Sequence, residues 1–253
     1  MGFPYLNKPK RSLGQNFFVN LNLGIALIEK SLETNPQKII EIGGGRGFFT
    51  KILVEKNVDV VVIEKDGILS ENLKFLFPNI QVYNEDIFSK NVLPLFKENT
   101  STVCFGSLPY NISKKIISYV AVNSNIENFY FIIQKEVAQK YASKEKSSML
   151  SVTNKIYFDT EIVFDIAPEN FKPKPNVVSC FVKFSRNENL ELIVEVEEFL
   201  KYLHKAFKQP RKMLKNNLEK HYTLNSDISK FLKKRAEDLS FEEHLNLFKS
   251  LVV

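Results

Sequence analysis

Glycines and carboxylates follow three successive apolar runs of the sequence. The first run leads into EIGGGRGFFT, where Gly43 and Gly45 allow a tight turn and a close approach of the backbone to a ligand. The second run ends at Glu64, about twenty residues further on, where a carboxylate can hold both hydroxyls of a ribose. The third ends near Asp86, which is placed to accept a hydrogen bond from an adenine amino group. Each acidic residue alone is also typical of a solvated loop, but the three features together predict a site for an adenosine-bearing cofactor.

The stretch FGSLPYNIS, at the end of a fourth apolar run, has the residue types of a second reactive site. Pro109 restricts Leu108 to an extended conformation, so the carbonyls of Ser107 and Leu108 cannot continue into a helix and stay available as acceptors. Acceptors of this kind can take hydrogens from an exocyclic amino group, and the ring of Tyr110 offers a stacking surface for a base. The alternative is a structural strand-to-helix turn with a core tyrosine, which we would favour if the cofactor features were absent.

The elements that must position these residues alternate between strands and helices. Helical patterns, FFTKILVEK and GILSENLKFLF, separate the first three strands, which are almost continuously apolar and therefore suit a parallel sheet buried on both faces. Two further strands near the end of this region resemble a hairpin, an arrangement that favours a class I methyltransferase sheet, Rossmann-like and α/β, over a dinucleotide-binding fold. Seven runs predict its strands: KIIEIG, VDVVVIEKD, IQVYNEDI, TVCFGSLPY, NFYFIIQ, TEIVFDI and SCFVKFS.

The pattern changes near residue 186. Beyond it we find no convincing strand, and EVEEFLKYLHKAF, PRKMLKNNLEKH, DISKFLKKRAEDL and FEEHLNLFKSL are all typical of helices. We therefore predict a catalytic-type domain over residues 1–185 and a small all-helical domain over residues 186–253.

Positive charge is concentrated at the two ends of the chain, whose net charge is +6. Two such patches can meet in space and follow a phosphate backbone, although a solvated surface explains the charge equally well. The residues that we expect to contact nucleic acid are Lys8, Lys10 and Arg11 in the N-terminal arm and Lys208, Arg211, Lys212 and Lys215 in the helical region.

The apolar runs, the cysteines and the histidines argue against a membrane protein, a disulfide-linked protein and a metalloprotein. No apolar run approaches the roughly 18 residues that span a bilayer, and the N-terminus lacks the apolar segment of a signal peptide, so we expect a cytoplasmic protein without a membrane partner. Cys104 and Cys180 lie far apart in strand-like runs, as reduced core thiols do. The three histidines lack metal-ligand spacing, and we predict no metal.

Eight motifs in order resemble those of the rRNA adenine N6,N6-dimethyltransferase family, which includes the KsgA-type small-subunit enzymes and the Erm resistance enzymes. They are SLGQNFFVN, EIGGGRGFFT, VIEKD, NEDI, GSLPYNIS, QKEVA, FKPKPNVVS and AFKQPRKMLKNNL, and they cover nearly the whole chain. The resemblance implies S-adenosylmethionine as methyl donor, adenine in rRNA as acceptor, and in-line displacement at the sulfonium methyl, performed twice on each adenine.

The resemblance also implies roles for individual residues. Tyr110 would stack on one face of the target adenine, Phe171 is a candidate for the other face, and residues 186–253 would bind rRNA. The residues around the donor would be Gln15, Asn16, Phe18, Gly43, Gly45, Glu64, Asp86 and Ser107.

The sequence departs from the family pattern at three places. Ser107 stands where family members usually carry Asn, which offers a carbonyl acceptor and two donors instead of one rotatable hydroxyl. Residues Ser147 to Met149 replace a frequent Tyr-Gly-Arg, which removes a cation, and Pro210 replaces a frequent Arg.

Three functions follow from these observations. The leading hypothesis is dimethylation of two adjacent adenines near the 3′ end of small-subunit rRNA during ribosome assembly, by a monomer acting on the small ribosomal subunit. The first alternative is an Erm-type enzyme acting on large-subunit rRNA; the two basic patches and AFKQPRK favour the small subunit. The second is an assembly or RNA-binding factor with weakened catalysis, which Ser107 supports and the intact donor residues oppose.

Overall fold

The computed structural model describes residues 16–98, 101–143, 145–193, 195–224 and 228–252. Four residues with predicted roles therefore lie outside the described residues: Gln15 at the donor site and Lys8, Lys10 and Arg11 of the basic arm.

A seven-stranded sheet dominates the structure, in the order β4-β3-β2-β5-β6-β9-β7. The first five of these strands are parallel, and β9 joins β6 in the antiparallel sense. Each strand corresponds to one of the seven predicted runs. The strands are β2 (Lys38–Ile42), β3 (Asp59–Ile63), β4 (Gln81–Tyr83), β5 (Thr102–Ser107), β6 (Asn128–Gln134), β7 (Phe158–Ile166) and β9 (Ser179–Arg186).

Two very short strands form a separate sheet that the sequence patterns did not indicate. β1 (Phe17–Phe18) pairs antiparallel with β8 (Phe171–Lys172), and the Val19 N–H extends the pairing by donating to the Asn170 carbonyl at 2.8 Å. This ladder holds the start of the described chain against the FKPKP segment.

The central strands are buried on both faces, as their apolar runs predict. Four consecutive residues of β2 and four of β3 are buried, and the core contains the rings of Phe18, Phe49, Phe105, Phe171 and Phe181. The one charged side chain in the buried part of β2 is Glu41, which is 1% exposed.

Helices between the strands begin at recognisable caps. The Asn20 side chain accepts a hydrogen bond from the Leu23 N–H at the start of α1, and the Asp66 side chain accepts from Ile68 and Leu69 at the start of α3. In this part of the chain the helices are α1 (Leu21–Ser31), α2 (Phe48–Val54), α3 (Gly67–Leu76), α4 (Ser113–Asn123), α5 (Lys135–Tyr141) and α6 (Met149–Lys155).

The structure divides into two compact units. One holds the described residues up to Ala138 together with Glu161–Ser185, and the other holds Gln139–Thr160 and the described residues from Arg186 onwards. The sequence pattern places a boundary near residue 186, but it assigns 139–160 to the first domain, whereas in the structure this segment groups with the C-terminal residues. A hydrogen bond from the Ser147 N–H to the Glu237 carbonyl, 2.8 Å long, ties the segment into the second unit.

The second unit is mainly helical after residue 186, as predicted. Its helices there are α7 (Val196–Ala206), α8 (Leu214–Leu218), α9 (Ser229–Leu232) and α10 (Phe241–Val252). His244 is completely buried, and its Nε2 lies 3.0 Å from the Ala236 carbonyl, which can only accept. The ring is therefore the Nε2–H tautomer, Nδ1 accepts from the Tyr202 hydroxyl at 2.9 Å, and burial lowers the pKa of His244 to about 4.

Candidate active site

The predicted ligand residues lie along one edge of the parallel sheet, in the spatial order of its strands. Asp86 follows β4, Glu64 follows β3, the glycine turn (residues 43–47) follows β2, and the corner (residues 107–110) follows β5. We call this set the edge row. Strand order reverses between β2 and β5, and the crevice at such a switch point is where open α/β sheets bind ligands.

The glycine turn has the backbone that its glycines were expected to provide. Gly43 and Gly45 have φ of +78° and +56°, which residues with a Cβ rarely adopt. Apart from Gly43 and its chain neighbours, no described residue has an atom within 4 Å of the position that a Cβ on Gly43 would occupy, so this side of the turn is open to a ligand. Gly44 instead allows close packing, since a Cβ added at this position would lie 2.6 Å from the Val62 side chain.

The Glu64 carboxylate is directed at the glycine turn. Its Oε2 accepts from the Gly45 N–H and its Oε1 from the Asp66 N–H, both at 2.8 Å. The residue is 7% exposed, and burial raises the pKa of the Glu64 carboxyl, against the opposing effect of the two N–H donors. The carboxylate is therefore anchored by a backbone N–H of the glycine turn on one side and by a backbone N–H just after β3 on the other.

A second buried carboxyl lies behind the glycine turn, and the sequence patterns did not single it out. The Thr50 hydroxyl of α2 donates to Oε2 of Glu41 at 2.6 Å. Burial raises the pKa of Glu41 to about 7, with the nearby Glu64 charge adding to the increase and the Thr50 hydrogen bond opposing it. The signal was present in the sequence, because a charged residue interrupts an otherwise apolar strand.

Asp86 is half-buried and pairs with Lys65, the residue after Glu64. Its Oδ2 lies 2.7 Å from the Lys65 Nζ, and its Oδ1 accepts from the Phe88 N–H at 3.0 Å. Burial raises the pKa of Asp86, but the hydrogen bonds from Lys65 and Phe88 outweigh it, and the pKa lies below its ordinary value. Asp86 is thus ionised at neutral pH.

The corner is held close to the end of β2 by a glycine that precedes it. A Cβ on Gly106 would lie 2.8 Å from the Ile42 carbonyl oxygen and 3.0 Å from the Leu108 side chain, so only glycine fits there. Leu108 is buried, and its N–H donates to the Ile132 carbonyl at 3.1 Å. These contacts fix the corner beside the glycine turn.

The acceptors at the corner differ in whether a described residue already donates to them. The Pro109 carbonyl is occupied by the Ile112 N–H at 3.1 Å. Among the residues that the structure describes, none donates to the Leu108 carbonyl or to the Ser107 hydroxyl. Ser107 is half-buried at the last position of β5.

Tyr110 is half-buried, and its hydroxyl lies 2.6 Å from the Ser179 hydroxyl of β9. Burial raises the pKa of the Tyr110 phenol, while the Ser179 hydrogen bond lowers it, and the net change is upward. Ser113 donates to the Tyr110 carbonyl at 3.2 Å. Tyr110 is therefore held both through its main chain and at the end of its ring.

The other aromatic residue expected at the target site lies in the core. Phe171 is 2% exposed, and its ring meets that of Phe18 edge-on with 5.2 Å between centroids. Phe18, expected at the donor, is itself 4% exposed, whereas Asn16 is half-buried. The rings of Phe171 and Phe18 both belong to the hydrophobic core. The stacking of Phe171 on the target adenine stays a prediction.

Three of the four described residues of the predicted RNA surface lie between α7 and α8, and the fourth, Lys215, is the second residue of α8. Lys208, Arg211, Lys212 and Lys215 are all exposed. The buried Asn217 fixes this connection by donating to the Ala206 and Gln209 carbonyls at 2.8 and 3.2 Å. We call these four residues the basic cluster.

The described part of the chain offers neither a metal cluster nor a membrane-spanning helix. It contains no group of three or more potential metal-ligating His, Cys, Asp or Glu side chains. None of its helices is long and apolar enough to cross a membrane.

The sheet order and the edge row together define a class I methyltransferase, which confirms the predicted fold class. The family model described as ribosomal RNA adenine dimethylase matches residues 6–252. The chain belongs to this family, and the predicted resemblance is confirmed.

Curated relatives are similar over almost their entire length. The ribosomal RNA small subunit methyltransferase A of Sulfurihydrogenibium sp. is 31% identical over 250 residues, covering 95% of each chain. The protein of the same name from Wigglesworthia glossinidia brevipalpis is 33% identical over 260 residues, covering 98% of this chain and 99% of the relative.

Two solved structures share the fold. A dimethyladenosine transferase from Plasmodium falciparum has a TM-score of 0.76 at 20% identity, covering 92% of this chain and 98% of the other. The 23S rRNA methyltransferase ErmE has a TM-score of 0.74 at 22% identity, covering 94% and 100%.

Proposed function

We propose that this protein transfers methyl groups from S-adenosylmethionine to the N6 amino groups of two adjacent adenines near the 3′ end of small-subunit rRNA. The observation that carries the proposal is the spatial order of the edge row, in which Asp86, Glu64, the glycine turn and the corner follow one another along neighbouring strands. The names and full-length similarity of the curated relatives support the small subunit as the target.

The described residues fit the donor. Glu64 provides a carboxylate at the end of β3 for the ribose hydroxyls, and Asp86 provides an ionised acceptor at the end of β4 for the adenine amino group. The open side of Gly43 leaves room for the rest of the molecule against the turn. When bound, S-adenosylmethionine supplies a methyl group made electrophilic by its sulfonium.

The corner would receive the target adenine. An exocyclic amino group is a weak nucleophile because its lone pair is delocalised into the ring, and acceptors that take its hydrogens favour a reactive geometry. The Leu108 carbonyl and the Ser107 hydroxyl are the acceptors available there, and Tyr110 supplies the stacking face. Because Gly106 brings the corner close to the end of β2, the amino group would lie beside the donor site.

The second unit would bind the RNA. The basic cluster presents four exposed cations, three of them on a connection that Asn217 holds in place. Cations arranged in this way neutralise phosphates whatever the sequence, and subunit shape together with the RNA sequence would then select the adenines. We propose that the protein acts as a monomer on the assembling small subunit in the cytoplasm.

Methyl transfer to purified ribosomal subunits tests the proposal. Labelled S-adenosylmethionine is supplied with unmethylated small or large subunits, and the modified bases are mapped, with Glu64→Gln as the donor-site control. We expect two doubly methylated adjacent adenines in small-subunit RNA. Label only in large-subunit RNA would overturn the choice of target, and donor binding without transfer would support an assembly factor, the alternative that Ser107 favours.

A further inference from the structure

Among the described residues, one side-chain hydrogen bond attaches the Tyr110 ring to the sheet. Its hydroxyl lies 2.6 Å from that of Ser179, the first residue of β9, which is completely buried. In the antiparallel ladder Ser179 pairs with Gln134, the last residue of β6. The partner of the Tyr110 hydroxyl is thus part of a rigid strand, at the edge of the sheet where the corner lies.

The main chain of Tyr110 is held independently of this bond. Ser113 donates to the Tyr110 carbonyl, and the Ile112 N–H donates to Pro109. These contacts fix the backbone of the corner, but they leave the ring free to turn about its side-chain torsions. Ser179 therefore supplies what the backbone contacts cannot: by holding the hydroxyl at the far end of the ring, it fixes the direction of the side chain and so the location of the ring.

We infer that Ser179 is a positioning residue that orients the Tyr110 ring to receive the target adenine, an inference that rests on the proposed function. A stacking surface contributes more to a reaction when its location is set before the base arrives, and a misplacement of about 1 Å can cost on the order of 100-fold in rate. Ser179 would not itself touch the donor or the base.

A double-mutant cycle tests the coupling. Ser179→Ala should lower kcat/KM for the small subunit about tenfold, the effect of losing one buried hydrogen bond, and leave the Kd for S-adenosylmethionine unchanged. Tyr110→Phe keeps the ring but removes its hydroxyl, so it should cause a similar loss. The double variant should be no worse than either single variant.

Two further variants control for folding. Ser179→Thr keeps a hydroxyl and should recover most of the activity. Ser185→Ala removes another serine hydroxyl from β9, one that donates to Asn128 at 3.3 Å, and should leave activity unchanged. Equal melting temperatures for Ser179→Ala and Ser185→Ala would exclude a general loss of structure.

A measurement without catalysis separates this inference from the proposed function. In protein labelled with 3-fluorotyrosine, the signal assigned to Tyr110 by its absence in Tyr110→Phe should shift on Ser179→Ala and stay in place on Ser185→Ala. An unmoved signal, full activity of Ser179→Ala, or additive losses in the cycle would overturn the positioning role. If the wild-type protein methylates neither subunit, the proposed function fails, and the positioning role fails with it even when the signal shifts.

Discussion

The Gly45 N–H donates to Oε2 of Glu64 at 2.8 Å, so the glycine turn and the end of β3 are joined directly. The bond fixes the position of the turn's backbone relative to the buried carboxylate. A ligand that contacts both therefore meets a surface that is already arranged, which reduces the ordering cost of binding.

Glu64→Gln should weaken binding of S-adenosylmethionine by tenfold or more. A neutral amide cannot accept from two ribose hydroxyls and the Gly45 N–H as a carboxylate does, and hydrogen bonds to charged groups contribute about 1.5–3 kcal/mol. Isothermal titration calorimetry measures the change. Glu71→Gln, on the exposed surface of α3, is the control that should bind normally, and unchanged affinity in Glu64→Gln would rule out the assigned role.

Gly106→Ala should impair the corner. The added Cβ would lie 2.8 Å from the Ile42 carbonyl, a backbone atom that cannot turn away, so β5 and β2 must separate. We expect a lower melting temperature and a loss of methyl transfer larger than the stability change explains. Gly67→Ala is the matched control, because its Cβ would meet only the Asn84 side chain at an ordinary 3.5 Å. Equal behaviour of the two variants would argue against this role for Gly106.

Glu41 should make the protein less stable as the pH rises. Its folded pKa of about 7 lies above its ordinary value of 4.5, so its contribution to stability is fully present below pH 4.5 and is lost as pH rises through 7. The shift corresponds to roughly 3 kcal/mol. Glu41→Gln, which still accepts from Thr50, should therefore gain stability over the wild type at pH 8 but not at pH 4.5 in urea unfolding. A difference that does not depend on pH would contradict this account.

Ser107→Asn should preserve or raise turnover. The amide carbonyl of Asn is an acceptor at a fixed position. The Ser107 hydroxyl rotates, and it accepts a hydrogen bond from the target only when its own hydrogen points elsewhere. Single-turnover methylation of small subunits measures the effect, with Ser107→Ala as the variant that lacks the acceptor. A several-fold loss in Ser107→Asn would mean that the site is adapted to a hydroxyl.

Neutralising the basic cluster should weaken subunit binding and flatten its salt dependence. Each phosphate contact that is lost should reduce the slope of log affinity against log salt by about 0.7–0.9. Donor affinity should not change. The control replaces four exposed lysines of the first unit, Lys51, Lys74, Lys90 and Lys97. An equal fall in donor affinity in the cluster variant would show that these residues serve structure instead of RNA binding.

Features with a local signature could be predicted from the sequence, and those that depend on distant partners could not. The seven apolar runs match the seven strands, and the strand-end positions of Glu64, Asp86 and Ser107 follow from that match. In contrast, the contact between Tyr110 and Ser179 joins residues 69 positions apart, and nothing in either segment indicates it. The burial of Phe171 likewise follows from its pairing with Phe18 in a two-residue ladder too short to leave a pattern.

The second unit is discontinuous along the chain, and this limits how the protein can be divided. Residues 139–160 contribute α6 and the Ser147 hydrogen bond to the second unit, and they run into β7, the first of the two strands that complete the sheet. A fragment beginning at residue 186 would lack that helix and its contacts, while a fragment ending there would carry it without a partner. Exchange of the second unit alone between homologues would therefore require crossovers at three places, near residues 139, 161 and 186, so recombination would tend to pass it on together with residues 161–185.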